Sequence, residues 1–140
     1  MAVAGFSGIH HIALNVRDLD ASVRWYSEVL DFSPLFRWDT DSFDRQLMRH
    51  PSGVVIGLTT HRHADAGAEF SERRTGLDHL AFAVRTRAEL EAWASRLTDA
   101  GVAHSGITVT PPMDFTLIAF RDPDNIQLEM YLAEKNAPDR

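Results

Sequence analysis

The chain has 140 residues, 44% hydrophobic and 24% charged, with a formal net charge of −6. That is the size and balance of one globular domain able to bury a core. The acidic charge, with no run of Lys or Arg, argues against a nucleic-acid or anionic-membrane partner, and no apolar stretch reaches the ~20 residues that span a bilayer.

There are no cysteines. Disulfides, thiolate catalysis and Cys-ligated metal sites are therefore excluded. The first residues, MAVAGFSG, lack the charged and apolar regions of a signal peptide. A reducing cytoplasm is the expected compartment.

Residues 9–17 read IHHIALNVR. The alternation predicts a strand, with His10, Ile12, Leu14 and Val16 on one face and His11, Ala13 and Asn15 on the other. The first face is apolar and suits a helix packed on it; the second is small and polar and suits a cavity wall. RDLDASVRWYSEVL then predicts a helix, N-capped by Asp18 or Asp20, with a stripe of Val23, Tyr26, Val29 and Leu30. Three short strands follow near 33–38, 43–49 and 54–60. Pro51-Ser52-Gly53 supplies the turn between the last two.

Residues 61–76 are polar, lack strand periodicity and read as a linker with a short helical turn. LDHLAFAV (77–84) predicts the next strand, with Leu80, Phe82 and Val84 on one face and His79, Ala81 and Ala83 on the other. Thr86 and Glu89 form a capping-box signature. The helix runs through Leu90, Trp93, Ala94 and Leu97 to a stop at Gly101. Strands near 103–109, 115–121 and 126–132 complete the pattern, with a turn at Asp122-Pro123-Asp124-Asn125. The last residues, from Glu134, are expected to fray.

The chain thus states one βαβββ pattern twice. His11 falls on His79 at an offset of 68, and Gly57 falls on Glu129 at an offset of 72. The expected fold is α+β: a single domain over 1–140, with module one at about 8–60, a linker at 61–76 and module two at about 77–133. Two such modules can curve side by side into a half-open mixed β barrel with the helices outside. In the final strand Gln127, Glu129 and Tyr131 share the face that His11 and His79 share in their own strands. A buried carboxylate is costly unless it is paired or binds a cation. His11, His79 and Glu129 are therefore the candidate metal ligands, a two-His, one-carboxylate set that leaves coordination positions open. His10 falls on Asp78 and is not expected to ligate. His61 and His63 read as exposed linker residues, and His50 and His104 as structural. Arg37, Trp38, Met113, Phe115 and Arg121 are candidates to line a substrate pocket, and Tyr131 or a linker histidine is a conceivable base.

The segments HHIALNVRDLDASVRWYSEVLDF, LDHLAFAV and FRDPDNIQLEMY resemble the vicinal oxygen chelate superfamily, also called the glyoxalase/bleomycin-resistance/dioxygenase group. The resemblance covers about residues 8–133. It implies paired βαβββ modules and one divalent metal (Fe2+, Mn2+, Ni2+, Co2+ or Zn2+) chelated by neighbouring oxygens of a small substrate. It also implies a homodimer in which His11 of one subunit joins His79 and Glu129 of the other. Departures follow the same positions. Glyoxalase I and methylmalonyl-CoA epimerases carry a fourth ligand where this chain has Gly57. Fosfomycin-inactivating relatives carry Thr where it has Ala13. Extradiol relatives carry Tyr where it has Ala119, although their ligand set matches.

The expected function is a metal-dependent enzyme, dioxygenase-like or a glyoxalase-type lyase, in which the metal acts as a Lewis acid. The alternative is a bleomycin-resistance-like protein that sequesters a cationic aromatic drug, with Trp38, Phe115 and Tyr131 stacking.

Overall fold

The computed structural model describes residues 4–63, 69–112 and 115–133. Met113, expected in the pocket, lies outside them, as does the C-terminal end from Glu134. The chain divides into two compact units, Met1–Ala66 and Gly67–Arg140. Among the described residues no helix is long and apolar enough to cross a membrane.

The first unit contains β1 (Ile12–Asn15), α1 (Leu19–Leu30), β2 (Ser33–Asp39), β3 (Phe43–Arg49) and β4 (Val55–His61). Its sheet runs β1-β4-β3-β2. β1 lies parallel to β4, and the other pairs are antiparallel. The second unit repeats this with β5 (Leu80–Val84), α2 (Arg87–Asp99), β6 (Thr108–Thr110), β7 (Phe115–Arg121) and β8 (Gln127–Leu132), in the order β5-β8-β7-β6. Each unit is therefore the βαβββ module that the sequence pattern predicts.

Burial explains the alternation. Leu14 and Val16 are buried, whereas His11, Ala13 and Asn15 are exposed. Register carries the apolar face across the sheet: Leu14 pairs with Leu58, and Ile56 with Met48. α1 packs on β3 and β4, burying Tyr26, Val29 and Leu30. The second core joins Leu90 and Leu97 of α2 to Ile118, Phe120, Leu128 and Met130. Each such side chain contributes roughly 1.5–3 kcal/mol when fully buried. The opposite face of each sheet carries the candidate ligands.

The helix ends follow local chemistry. Asp18 caps α1 through Oδ1, which accepts from the Ala21 N–H at 2.9 Å. Thr86 and Glu89 form the reciprocal capping box on α2. The two β-hairpin turns use one device at repeat-related places. Asp122 Oδ1 accepts from the Asp124 N–H at 2.9 Å, and His50 Nδ1 accepts from the Ser52 N–H at 3.1 Å. Gly53 and Asn125 take the left-handed conformation that closes each turn, at φ 96° and 67°.

One expectation needs correction. The strand expected at 103–109 is only Thr108–Thr110, preceded by an isolated bridge from His104 to Phe120. Gly106 sits at φ 70°, and its N–H donates to His104 Nδ1 at 3.0 Å instead of joining the ladder. The linker expected at 61–76, with its short helical turn, lies partly outside the described residues. β4 runs on to His61, and residues 71–74 make a single turn closed by the Arg74 N–H on the Ser71 carbonyl at 3.2 Å.

Candidate metal centre

In the second unit β8 lies between β5 and β7, so Glu129 stands directly between Ala81 and Ala119. Two methyl side chains leave room above the sheet for its carboxylate. Glu129 is only 7% exposed. His79, just before β5, shares that face. Its Nε2 stands 3.6 Å from Glu129 Oε2, while its Nδ1 lies 2.6 Å from Asp78 Oδ1. The structure thus brings two of the three candidate ligands together.

The donor chemistry suits a cation. Two ligands each about 2.1 Å from one tetrahedral or octahedral metal lie about 3.0–3.4 Å apart, close to the observed separation. The Asp78 hydrogen bond raises the His79 pKa; burial opposes this, and the charge of Glu129 adds to the rise. The same two carboxylates that favour a proton on His79 favour a metal ion there. Asp78 also fixes the ring, because Nδ1–H donates to it and Nε2 keeps its lone pair for a ligand.

His11 stands in the first unit, just before β1, on the face of Ala13 and Asn15. Its Nδ1 meets His10 Nδ1 at 2.9 Å, with the rings edge to face. His10 therefore holds His11 as Asp78 holds His79, at the equivalent repeat position. A neutral His11 donating from Nδ1 to His10 leaves Nε2 free in the same way. Among the described residues no group of three or more His, Asp or Glu side chains gathers to hold a metal.

Gly57, equivalent to Glu129, is flanked by Ala13 and Leu47. A Cβ there would meet Leu47 Cδ2 at 3.4 Å and Ala13 Cβ at 3.6 Å. Leu47 takes the position that Ala119 holds in the second unit, so a longer side chain at residue 57 would contend with it.

The proposed pocket residues divide by face. Trp38 pairs with Arg45 and shares the face of His11. Arg37 lies on the other face, where its guanidinium donates to Asp20 of α1 at 2.7 Å and to Asp39 at 3.1 Å. Arg37 is therefore corrected from the pocket face to the helix face, because strand neighbours point opposite ways. Phe115 and Tyr131 meet on the Glu129 face, with ring centroids 5.8 Å apart. Arg121 is on that face too, but it is engaged by Glu72 at 2.8 and 3.1 Å. His61 and His63 are exposed, as expected. His50 sits in its turn, and His104 Nε2 lies 2.8 Å from Thr98 Oγ1, both in structural roles.

Arg45 has no place among the residues expected from the sequence. Its guanidinium lies 4.6 Å from the Phe43 ring centroid and 5.4 Å from that of Trp38. Its Nε donates to Thr59 Oγ1 at 2.8 Å. Only the cross-strand pairing with Trp38 reveals it.

Residues 8–130 match the family model described as Glyoxalase/Bleomycin resistance protein/Dioxygenase superfamily. The chain is 30% identical over 130 residues to "Uncharacterized protein YaeR" of Escherichia coli (strain K12), covering 91% of this chain and 97% of that one. It is 38% identical to the glyoxylase/bleomycin resistance protein/dioxygenase domain from Frankia sp. EAN1pec, with a TM-score of 0.84 over 95% of this chain and 96% of that structure. The genomically encoded fosfomycin resistance protein FosX from Listeria monocytogenes is similar in fold, at 20% identity and a TM-score of 0.72 over 94% of this chain and 97% of that one.

Proposed function

The chain belongs to the glyoxalase/bleomycin resistance protein/dioxygenase superfamily, and from that premise we propose that it is a metal-dependent enzyme of the vicinal-oxygen-chelate type. His79, Glu129 and His11 hold its one divalent cation. The observation that carries this reading is the buried Glu129 carboxylate, whose Oε2 faces His79 Nε2 at 3.6 Å. A carboxylate removed from water calls for a cation, and a neutral imidazole beside it supplies the second donor.

When bound, the metal supplies Lewis-acid polarisation of two neighbouring oxygens on a small substrate. The protein supplies the rest. Asp78 and His10 orient the two imidazoles. Ala81 and Ala119 leave space over the carboxylate. Phe115 and Tyr131 offer an aromatic wall on the same face, with the Tyr131 hydroxyl the group proposed to move a proton. Gly57, hemmed by Leu47, limits the protein to three donors and favours a dioxygenase-like reaction over a glyoxalase-type lyase. His11 reaches the pair through a homodimer, with each site shared between two copies.

Drug sequestration is the second reading, supported by the ring pairs Phe115–Tyr131 and Phe36–Trp38. Metal content after anaerobic purification separates the two. Wild type is expected to hold about one Fe, Mn, Ni, Co or Zn per chain, and Glu129→Gln to lose it. An absence of bound metal in both proteins after reconstitution would sink the enzyme reading and favour sequestration. The identity of the metal chooses between the two reactions, iron pointing to oxygenation.

A further inference from the structure

The Glu129 carboxylate is held from behind by a chain of side chains that no ligand set includes. Gln127 precedes it by two residues on β8 and shares its face. Gln127 Nε2 donates to Glu129 Oε1 at 3.2 Å. Gln127 Oε1 accepts from Arg121 Nη2 at 3.2 Å across the β7–β8 ladder. Arg121 is in turn held by a two-pronged ion pair to Glu72, and its Nη1 donates to the Asn125 carbonyl at 2.9 Å.

The direction of this chain is set by chemistry. A guanidinium only donates, so the end of Gln127 facing Arg121 must be its oxygen. Its amide N–H groups are thereby turned to Glu129. A carboxylate has two oxygens, and the amide occupies Oε1. Oε2 is left on the side of His79 Nε2.

We propose that Gln127 is a positioning residue for Glu129: it takes one carboxylate oxygen so that the other is presented alone to the cation, a role that rests on Glu129 being a ligand. Arg121 fixes the end of Gln127 that faces the ligand, and Glu72 fixes Arg121. One-oxygen ligation keeps a coordination position open that two-oxygen ligation would fill. Glu72 also ties the support to the incoming segment. Phe70 exchanges hydrogen bonds with the same turn, its N–H donating to the Asp124 carbonyl and its carbonyl accepting from Asn125 Nδ2, each at 3.2 Å. The start of the second unit is thus part of the scaffold behind Glu129.

The test uses full-length protein and two readouts. First, the side-chain amide protons of Gln127 are followed by NMR in metal-free protein. Slow exchange is expected in wild type, with a rise of roughly tenfold in Glu72→Gln, where the grip on Arg121 is loosened. Second, Mn2+ affinity and the visible spectrum of the Co2+ form are compared in wild type, Gln127→Met and Glu72→Gln. Gln127→Met is expected to weaken Mn2+ binding roughly 10–100-fold and to change the Co2+ bands, with one ion per chain retained. Glu72→Gln should show a smaller change of the same sign. Mn2+ affinity of Gln127→Met within twofold of wild type, with unchanged Co2+ bands, overturns the positioning role while leaving the ligand reading intact. Failure of wild type to bind any of Mn2+, Co2+, Ni2+, Zn2+ and, anaerobically, Fe2+ overturns the ligand reading and the positioning role with it. A Gln127 amide that exchanges like a free side chain in wild type refutes the relay independently of any metal.

Discussion

Gly57 is the residue on which the proposed count of three protein ligands turns. In the second unit the equivalent place holds Glu129 between two alanines; in the first, Leu47 replaces one of them. A Cβ at residue 57 would make ordinary van der Waals contacts, so Gly57→Ala is expected to fold within about 1 kcal/mol of wild type. Gly57→Gln adds atoms that collide with Leu47 and should cost about 1–3 kcal/mol. The double variant Gly57→Gln/Leu47→Ala should recover part of that loss. Urea denaturation of the three variants checks the series, and equal stability in the two Gln variants would show that Leu47 is not the obstacle.

Glu72 supplies a pH dependence at the same scale. Its hydrogen bonds from Arg121 lower its pKa from the usual 4.5 to about 2. A carboxylate with a depressed folded pKa stabilises the fold above the unfolded value, and this contribution is lost as pH falls through the folded one. The Glu72–Arg121 contribution is therefore complete above pH 4.5 and disappears towards pH 2. Both partners are partly exposed, so solvent screens the pair and the effect is modest. Glu72→Gln should flatten the acid limb of a stability–pH curve in that window and leave its neutral side nearly flat. An unchanged acid limb would mean that the ion pair is not populated in solution.

At the scale of elements, α2 begins at a capping box that satisfies two backbone N–H groups reciprocally. Thr86→Ala removes the hydroxyl that accepts from Glu89 N–H at 3.1 Å. The expected cost is about 1 kcal/mol, seen as a fall in melting temperature of roughly 3–5 °C for a chain of this size. Thr86→Ser keeps the acceptor and should recover most of it. The capping box was legible because its four residues are contiguous. The shortened β6 was not: a run such as VAHSGITVT alternates well enough for a strand, but the ladder is broken by a side chain. His104 takes the Gly106 N–H, and Ser105 Oγ accepts from the Ala119 N–H at 3.0 Å.

For the whole molecule, the proposed sharing of sites between two copies has a direct genetic consequence. His11→Ala and Glu129→Gln are each expected to bind little metal alone. Unfolded together in equal amounts and refolded, they form mixed dimers in half of cases, and each mixed dimer restores one site of two. About a quarter of the wild-type Mn2+ capacity should return in a symmetric dimer. No recovery would place all three ligands within one chain. Sedimentation of wild type as a dimer is the accompanying expectation.

Amino-acid order alone determined the two βαβββ modules, their apolar faces and the face on which His11, His79 and Glu129 stand. These follow from strand and helix periodicity, which is local, and from a repeat that doubles the signal. Gln127 was legible as a neighbour of Glu129 on that face, though not in its proposed positioning role. Tertiary structure alone decided which residues meet across strands. Register put Arg45 beside Trp38 and Arg121 beside Gln127, and the packing of the chain brought Asp20 to Arg37 and Glu72 to Arg121. Asp20 and Glu72 lie 17 and 49 residues from the arginines they hold, and even across one hairpin periodicity carries no record of the offset at which two strands pair.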